Sequence, residues 1–306
     1  MQTQKPKSHR LRKVLFGISL TIVILFVLIV SAFFFMATPR LSKRQELKAF
    51  TKNPIAHRGL FENKSGAEHC ENSLASFQKA IDNNYIIELD VQITKDQKLV
   101  VHHDYNLYRA CIDEYPDDEK IKNKTPIAEM TLAEIKKYHI FKTSQVVPTF
   151  DEVLDLVKGK TPILIEIKVE KKELEENTCK LTYEAMKKHP EATLCVQSFN
   201  PRALKWFRKN APEVLRGQLS SNFMINKEAP KSARFVLSNM LANFISRPDF
   251  YSYQYNIKKS FGYVVSKGLF KVPTFAWTLR NEKDYKENLP KYDNLIFDSI
   301  NPELIP

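Results

Sequence analysis

The chain has 306 residues, 43% of them hydrophobic, and a formal net charge of +12. A chain of this length can bury a substantial core, and the part after residue 50 is long enough for one α/β barrel. The positive charge is concentrated near the N-terminus, where residues 1–13 carry +5 and residues 37–52 carry +4, which leaves +3 for the remainder. This distribution does not support a nucleic-acid partner, because the globular part is nearly neutral.

The first predicted element is a membrane-spanning helix over residues 14–36, between a basic tail (1–13) and a tether (37–53). The run contains 23 residues without a charge or a proline, and at about 1.5 Å per residue it spans the hydrocarbon core of a bilayer. A cleavable signal peptide is the alternative, because five basic residues precede the run. We favour an uncleaved anchor, because the run far exceeds the usual signal-peptide core and Phe33-Phe34-Phe35 is a poor cleavage region.

The anchor predicts a single-pass protein of the cell membrane, with flanking basic residues in contact with anionic lipid headgroups. Each flank contains five Lys or Arg residues, so the positive-inside rule barely fixes the orientation. The short, acid-free leading tail favours the N-terminus inside and the globular domain outside.

The tether, residues 37–53, is largely polar and shows no clear periodicity. From residue 54 to residue 306, apolar runs bounded by turn residues alternate with amphipathic stretches, which predicts one domain with a mainly parallel sheet wrapped by helices. Strands are predicted over 54–57, 86–92, 99–102, 163–167, 193–197, 216–219, 250–254, 274–278 and 295–297. Helices are predicted over 73–83, 131–138, 150–157, 171–188, 201–209 and 282–288, and over 235–245, for which a membrane-dipping lid is the alternative.

Only about residues 95–98 separate the second strand from the third. Parallel neighbours need a crossover of about a dozen residues or more. This pair is therefore predicted to be a hairpin, and nine strand candidates for eight positions indicate an irregular barrel.

Three carboxylates at the ends of apolar runs are the candidate metal ligands. Glu88 and Asp90 are two residues apart in a predicted strand, so both side chains point to one face, and Glu166 ends another strand. Such oxygen ligands favour one divalent cation, Mg²⁺ or Ca²⁺, over zinc. The alternative for an isolated Glu-x-Asp is a surface charge pair. Glu62 is a weaker candidate ligand, because a solvated loop is the simpler interpretation.

Two histidines are the candidate acid and base. His57 and His103 each follow an apolar run, and imidazole titrates near neutral pH, so either can accept or donate a proton. Strand alternation sends His102 to the opposite face from His103, so His102 is given no role. Asp104 is expected to orient His103 or its loop.

Arg58 and Lys168 are the candidate phosphate-binding cations, since positive charge is needed where phosphoryl oxygens gain charge in the transition state. The alternative is that each simply pairs with a nearby carboxylate. Asn72 is expected either to steady the mouth by a hydrogen bond or to begin a helix.

The four cysteines, Cys70, Cys111, Cys179 and Cys195, do not have zinc-type spacing. Free, partly buried thiols are the simpler interpretation. The alternative is a disulfide between Cys70 and Cys111, which follow different strands at the same barrel mouth, if the domain faces an oxidising space.

These motifs resemble the glycerophosphodiester phosphodiesterase family. The resemblance is carried in order by residues 55–59, 71–74, 88–91, 94–96, 100–104, 166–168, 197–199 and 277–278, and it extends from about residue 54 to residue 298. The chain departs from the family pattern at Cys70, where proline is usual, in the acidic loop 105–115, and after Asp298, where proline usually follows closely. None of these departures removes a catalytic candidate.

The resemblance implies an irregular TIM-type (β/α)8 barrel that hydrolyses glycerophosphodiesters to glycerol 3-phosphate and an alcohol. It also implies that the 2-hydroxyl of the substrate attacks phosphorus to give a cyclic phosphate, with His57 and His103 as base and acid in either order. Trp277 and Phe199 are expected to line the pocket for the alcohol group, where aromatic rings can recognise a cation. Tyr251 and Tyr253 are equally well explained as core residues. Two alternatives remain: lysophospholipase D-like cleavage of a membrane lipid, and an inactive membrane-bound barrel that acts as a binding protein.

Overall fold

The protein is described by a computed structural model, which covers residues 7–40, 42, 45–62, 64–298 and 300. Residues 1–6 of the basic tail and 301–306 of the predicted domain lie outside the described residues. The N-terminal helix α1 runs from Lys7 to Ala37. Its section Leu11–Ala37 is long and apolar enough to cross a membrane, and signal sequences share these two properties.

The predicted barrel is confirmed. Eight strands of the described chain are parallel and form a closed barrel in the order β1-β9-β8-β7-β6-β5-β4-β2, with β1 also paired to β2. The ninth strand, β3, pairs antiparallel with β2, as the short connection between them predicts. The strands are β1 (Ile55–Ala56), β2 (Ile86–Ile93), β3 (Leu99–Val101), β4 (Ile163–Ile167), β5 (Leu194–Ser198), β6 (Leu215–Ser220), β7 (Phe250–Gln254), β8 (Thr274–Leu279) and β9 (Asn294–Phe297).

The helices pack around the outside of the barrel. Several begin at a side-chain cap, such as Ser73 before α2, whose hydroxyl accepts a hydrogen bond from the Ser76 amide at 3.1 Å. The helices after α1 are α2 (Leu74–Asp82), α3 (Tyr108–Cys111), α4 (Glu119–Lys122), α5 (Leu132–Ile135), α6 (Phe150–Val157), α7 (Glu175–Lys188), α8 (Pro201–Asn210), α9 (Phe223–Asn226), α10 (Arg234–Ser238), α11 (Asn243–Ser246), α12 (Phe261–Phe270) and α13 (Glu282–Asn288). Helix α12 was absent from the sequence prediction, and α5 is shorter than the predicted 131–138.

The predicted helix over 235–245 is wrong as one continuous element. The segment forms the two short helices α10 and α11, and the chain between them turns at Met240, which has a φ of 58° and is buried. Phe235, Val236 and Phe244 remain exposed, while Leu241 is buried. The apolar pattern is therefore divided between the core and the surface.

The predicted tether contributes to the core instead of only linking two parts. A 3-10 helix, Glu46–Phe50, places Leu47 and Phe50 at 2% and 0% exposure in the apolar layer formed by the first inward-pointing residues of the strands. These two side chains close the base of the barrel, the end at which the parallel strands begin. The opposite end, at the carboxyl ends of the strands, is called the mouth below.

The four cysteines are free and buried, as the simpler interpretation predicts. Cys70 and Cys111 belong to the same small apolar cluster beside the mouth. Their sulfur atoms contact other groups: the Cys70 thiol lies 3.8 Å from the Thr143 hydroxyl, and the Cys111 thiol donates to the His139 carbonyl at 3.4 Å.

Candidate active site

Three carboxylates meet inside the barrel near the mouth. Glu88 and Asp90 both point inward from β2, and the parallel register places Asp90 beside Glu166 on β4. The side chains are almost completely buried, at 2%, 1% and 7% exposure respectively. One oxygen atom from each lies within 4.8 Å of the others, so the three can hold one metal ion.

The electrostatics of this cluster indicate a site for positive charge. Burial raises the pKa of Glu88 well above its ordinary value, and the negative charges of Asp90 and Glu166 raise it further. Burial also raises the pKa of Glu166. For Asp90, burial acts in the same direction, but nearby positive groups, with Lys168 foremost, outweigh it and lower the pKa. Carboxylates forced together in this way are stabilised by a bound cation, and hard divalent ions prefer oxygen ligands.

Lys168 already neutralises part of this charge. Its ammonium nitrogen lies 2.7 Å from Glu166 Oε1 and 3.1 Å from Asp90 Oδ1. These ion pairs raise the pKa of Lys168 although burial opposes the change, so the side chain stays charged at neutral pH. The carboxylate pairing expected as an alternative is therefore observed, and the same side chain also lines the cavity.

Arg58 contacts the cluster from the end of β1, which flanks β2 on the side away from β4. Its backbone amide donates to Glu88 Oε2 at 3.1 Å, and its guanidinium donates to Glu71 Oε1 at 2.9 Å. The residue has a φ of 58°, which turns the chain sharply after β1. Gly59 follows with a φ of 79°, and a Cβ atom there would lie 2.5 Å from the Ser76 hydroxyl oxygen, so only glycine fits this turn.

His57 is held by a carboxylate from the far end of the sequence. Its Nδ1 atom lies 2.9 Å from Asp298 Oδ2, across 241 residues of sequence. This contact leaves Nε2 as the nitrogen available for proton transfer. Burial and the positive charge of Arg58 lower the pKa of His57, and Asp298 opposes this shift. A neutral His57 at pH 7 is suited to accept a proton.

His103 is positioned by a chain of charged groups. Its Nδ1 atom lies 2.7 Å from Asp104 Oδ1, and Asp104 Oδ2 accepts a hydrogen bond from Arg109 Nε at 2.6 Å. Arg109 in turn donates two hydrogen bonds to Glu71, at 2.6 and 2.9 Å. His102 is buried on the opposite face, and burial lowers its pKa to about 4.

Several site contacts involve residues for which the sequence predicts no role. Gln197 donates to Glu88 Oε1 at 3.2 Å, and Ser252 donates to Gln197 Oε1 at 2.6 Å. Gln197 and Asp298 could have been found, because both lie at the carboxyl ends of predicted strands. Arg109 gave no comparable signal, because it lies in the short helix α3, within a loop.

Asn72 donates from Nδ2 to Asp90 Oδ2 at 2.9 Å, whereas Ser73 is the cap of α2. The first of its two expected roles is therefore the one observed. Glu62 does not reach the carboxylate cluster; its side chain is 47% exposed and pairs with Lys79 at 2.6 Å.

Phe199 and Trp277 form one wall of the cavity. Their ring centroids lie 5.6 Å apart in an edge-to-face contact. The cavity has a volume of about 130 Å³, and both histidines, Glu88, Glu166 and both cations also line it. Tyr251 and Tyr253 are instead buried in a core cluster outside the barrel wall, in contact with α12, as the core interpretation predicts.

A second, mainly apolar groove lies beside this cavity and shares Phe199 with it. The groove has a volume of about 560 Å³. Its lining comes from the start of α8 and from residues 223–237, including Phe223 in α9, Leu237 in α10, and Pro230 and Ala233 between the two helices.

Comparison with known proteins gives consistent matches over the barrel. The model of the glycerophosphoryl diester phosphodiesterase family matches residues 57–301. The Bacillus subtilis protein YhdW is 29% identical over 246 residues, which cover 75% of this chain and 86% of that protein. A rat lysophospholipase D, GDPD1, is 29% identical over 164 residues, 53% of this chain, and this match spans only about half (50%) of the rat protein.

Solved structures show the same fold at low sequence identity. An Oleispira antarctica phosphodiesterase, solved in complex with sn-glycerol-3-phosphate, has a TM-score of 0.63 and 21% identity, and the match covers 84% of this chain and 96% of that one. A glycerophosphodiester phosphodiesterase from Parabacteroides distasonis has a TM-score of 0.60 and 22% identity, with 81% and 92% of the two chains covered.

Proposed function

Because the chain belongs to the glycerophosphoryl diester phosphodiesterase family and is a phosphodiesterase hydrolase, we propose that it hydrolyses glycerophosphodiesters to glycerol 3-phosphate and an alcohol. The observation that supports this most directly is one small cavity lined by two histidines, two cations and carboxylates of the acidic cluster. An acid, a base and positive charge at the phosphoryl group are what phosphodiester cleavage requires.

In the proposed first step, the 2-hydroxyl of the substrate glycerol attacks phosphorus. His57 Nε2 takes the hydroxyl proton while His103 gives a proton to the departing alcohol oxygen, and a cyclic phosphate forms. In the second step a water molecule opens the ring, with His103 taking its proton and His57 returning one to the ring oxygen. The neutral state of His57, which burial favours, supports its assignment as the first base.

Arg58 and Lys168 bind the phosphoryl oxygens in this proposal. Both carry full charge at neutral pH and both lie beside the carboxylate cluster. Glu88, Asp90 and Glu166 would hold one divalent cation, Mg²⁺ or Ca²⁺. When bound, this cation polarises the phosphoryl group and favours ionisation of the attacking hydroxyl.

The test is hydrolysis of glycerophosphocholine by the full chain in detergent, with added Mg²⁺ or Ca²⁺. We expect His57→Ala and Glu88→Gln each to lower kcat by a factor of at least about 10². The matched controls are His139→Ala and Glu62→Gln, whose side chains are 52% and 47% exposed. Near-native activity in either site variant would contradict the assignment of that residue.

A second candidate function is lysophospholipase D activity, in which a lysophospholipid gives lysophosphatidic acid and the free headgroup alcohol. The apolar groove beside Phe199 supports it, because one acyl chain needs such a surface and a soluble glycerophosphodiester does not. Introducing a charge into the groove by Ala233→Glu should reduce cleavage of lysophosphatidylcholine more than cleavage of glycerophosphocholine. Equal loss with both substrates would argue against acyl binding in the groove.

We also propose that α1 anchors the protein in the cell membrane with the barrel outside. The length and apolarity of the helix support the anchor. Retention of the full chain in membranes after alkaline carbonate extraction tests the anchor, and cleavage of the barrel by protease added to intact cells tests the orientation.

A further inference from the structure

The end of α1 packs along the outer wall of the barrel in a defined order. The ring of Phe33 contacts that of Phe261, at the first residue of α12, with 6.2 Å between centroids. Four residues later, the Ala37 carbonyl accepts a hydrogen bond from Ser266, in the middle of α12, at 3.1 Å. Arg40 then pairs with Asp249, the residue before β7.

This order fixes the direction of α1 relative to the barrel. Helix α12 connects the end of β7 to the start of β8, so Phe261 lies at the mouth and the chain then runs towards the base. Asp249 precedes β7 and lies at the base. Since α1 contacts mouth, middle and base in that order, its earlier residues extend past the mouth. From Leu11 to Phe33 the helix is about 33 Å long, close to the thickness of a bilayer core.

We infer that the catalytic mouth faces the membrane and that its rim on the α9–α12 side rests on the lipid bilayer. The inference depends on the anchoring proposed above and extends it. Were α1 a membrane span, the contact between Phe33 and Phe261 would place the start of α12 at the membrane surface. The active site would then open towards lipid.

The chemistry of this rim fits a bilayer. Phe261 is 74% exposed and Phe235 is 61% exposed, so both rings project from the surface. Lys227 and Lys231, at the end of α9 and just beyond it, are also exposed. Exposed aromatic and aliphatic side chains with nearby basic residues are typical of surfaces that insert into the headgroup region. The exposed apolar residues at this rim are Met224, Ile225, Phe235, Val236, Phe261 and Val264.

The apolar groove belongs to the same part of the mouth. Pro230, Ala233 and Leu237 line the groove and lie in the chain that carries Phe235 and Val236. The other end of the groove is at Phe199, which also lines the active-site cavity. A phosphodiester lipid with one acyl chain could therefore pass from the bilayer to the carboxylates while its chain stays in apolar surroundings. The substrate class that this geometry favours is a lysophospholipid drawn from the membrane.

The test measures membrane depth at the two ends of the barrel in the full chain, reconstituted in phosphatidylcholine–phosphatidylglycerol vesicles. A fluorescent label is attached to Phe235→Cys or Phe261→Cys at the rim, and to Leu289→Cys as a control. Leu289 is 42% exposed and lies before β9, at the base. The four native cysteines are buried, and burial raises the pKa of each thiol, so they react slowly with the label.

We expect lipids with spin labels near the headgroups to remove more than about half of the fluorescence at both rim positions, since such surfaces insert about 5–10 Å into the boundary region. The label at the base should keep its full fluorescence. Equal quenching at rim and base, or stronger quenching at the base, would overturn the inference. Each labelled variant must keep the melting temperature of the parent protein.

The proposed anchor and the proposed chemistry fail differently. If carbonate extracts the full chain from membranes, the proposed anchor is wrong, and the inference that the mouth faces the membrane is wrong with it. Hydrolysis of glycerophosphocholine would stand in that case, because it does not require a membrane. If the chain stays in the membrane but the labels at the rim are not quenched, only the inference that the mouth faces the membrane is wrong.

Discussion

Replacing Asp104 by asparagine tests whether His103 depends on its charged neighbours. Asp104 accepts one hydrogen bond at each oxygen, from His103 at 2.7 Å and from Arg109 at 2.6 Å. Burial acts to raise the pKa of Asp104, but these hydrogen bonds outweigh burial and hold the pKa well below its usual range. The group is therefore a carboxylate at neutral pH. Asparagine keeps the shape but offers only one acceptor oxygen, so one of the two donors must lose its partner.

The expected cost follows from this loss. Removing a group that orients a metal-bound histidine typically lowers activity by about 10 to 100-fold, and we expect a loss of the same size for His103. That factor corresponds to about 1.4–2.7 kcal/mol of transition-state stabilisation. The predicted effect is therefore a fall in kcat of this size for glycerophosphocholine, with little change in KM, because Asp104 is placed behind His103 and away from the substrate.

The control is Asp113→Asn, on the same loop. Asp113 is 71% exposed and pairs only with Lys142 at 3.1 Å among the contacts described. An exposed ion pair contributes little, so kcat should stay within about twofold of the parent value. If Asp104→Asn keeps full activity while His103→Ala is inactive, Asp104 does not orient His103. Equal losses in Asp104→Asn and Asp113→Asn would instead mean that the loop as a whole was disturbed.

Three further predictions concern the metal, the pH profile and the base of the barrel. Chelation of the metal by EDTA should abolish hydrolysis. Mg²⁺ or Ca²⁺ added at about 100 times its Kd should restore activity and stabilise the fold by about 2.7 kcal/mol. Unchanged activity and melting temperature after chelation would contradict the metal assignment. Burial and the charge of Arg58 lower the pKa of His57, whereas Asp298 raises this pKa. The acid limb of the pH profile of kcat/KM should therefore lie below pH 6.5, and Asp298→Asn should move that limb to lower pH. A shift of the limb to higher pH would contradict His57 as the base. Phe50 has 0% exposure, so Phe50→Ala should lower the free energy of unfolding by about 3–5 kcal/mol. The exposed control, Leu289→Ala, should lower it by less than about 0.5 kcal/mol. Equal denaturation midpoints for these two variants would show that residues 46–50 are not part of the barrel.

The sequence was sufficient to predict the barrel, because strands and their faces are local properties of the chain. Apolar runs of four to eight residues indicate buried strands, and side chains in a strand alternate between its two faces. This alternation placed Glu88 with Asp90 on the inner face and separated His103 from His102. The five-residue connection between β2 and β3 was equally decisive, since it is too short for a parallel crossover.

Contacts between distant parts of the chain were decided only by the tertiary structure. Asp298 reaches His57 because β9 pairs with β1 when the barrel closes. Arg109 reaches both Asp104 and Glu71 from the short helix α3, whose Ala110 and Cys111 pack into the apolar cluster beside the mouth. Local sequence can mark such residues as polar and near a strand end, but it does not specify their partners.

An apolar pattern likewise shows that a face is apolar without showing what covers it. Residues 235–245 were expected to form one helix, yet Met240 turns the chain so that part of the pattern enters the core and part stays exposed. Leu47 and Phe50, in a segment without periodicity, close the base of the barrel. The sequence by itself therefore determined the barrel, its inner carboxylates and the apolar helix before it. The tertiary structure decided which groups orient the histidines and at which end of the barrel α1 emerges, because both depend on which surfaces pack together once the chain has closed.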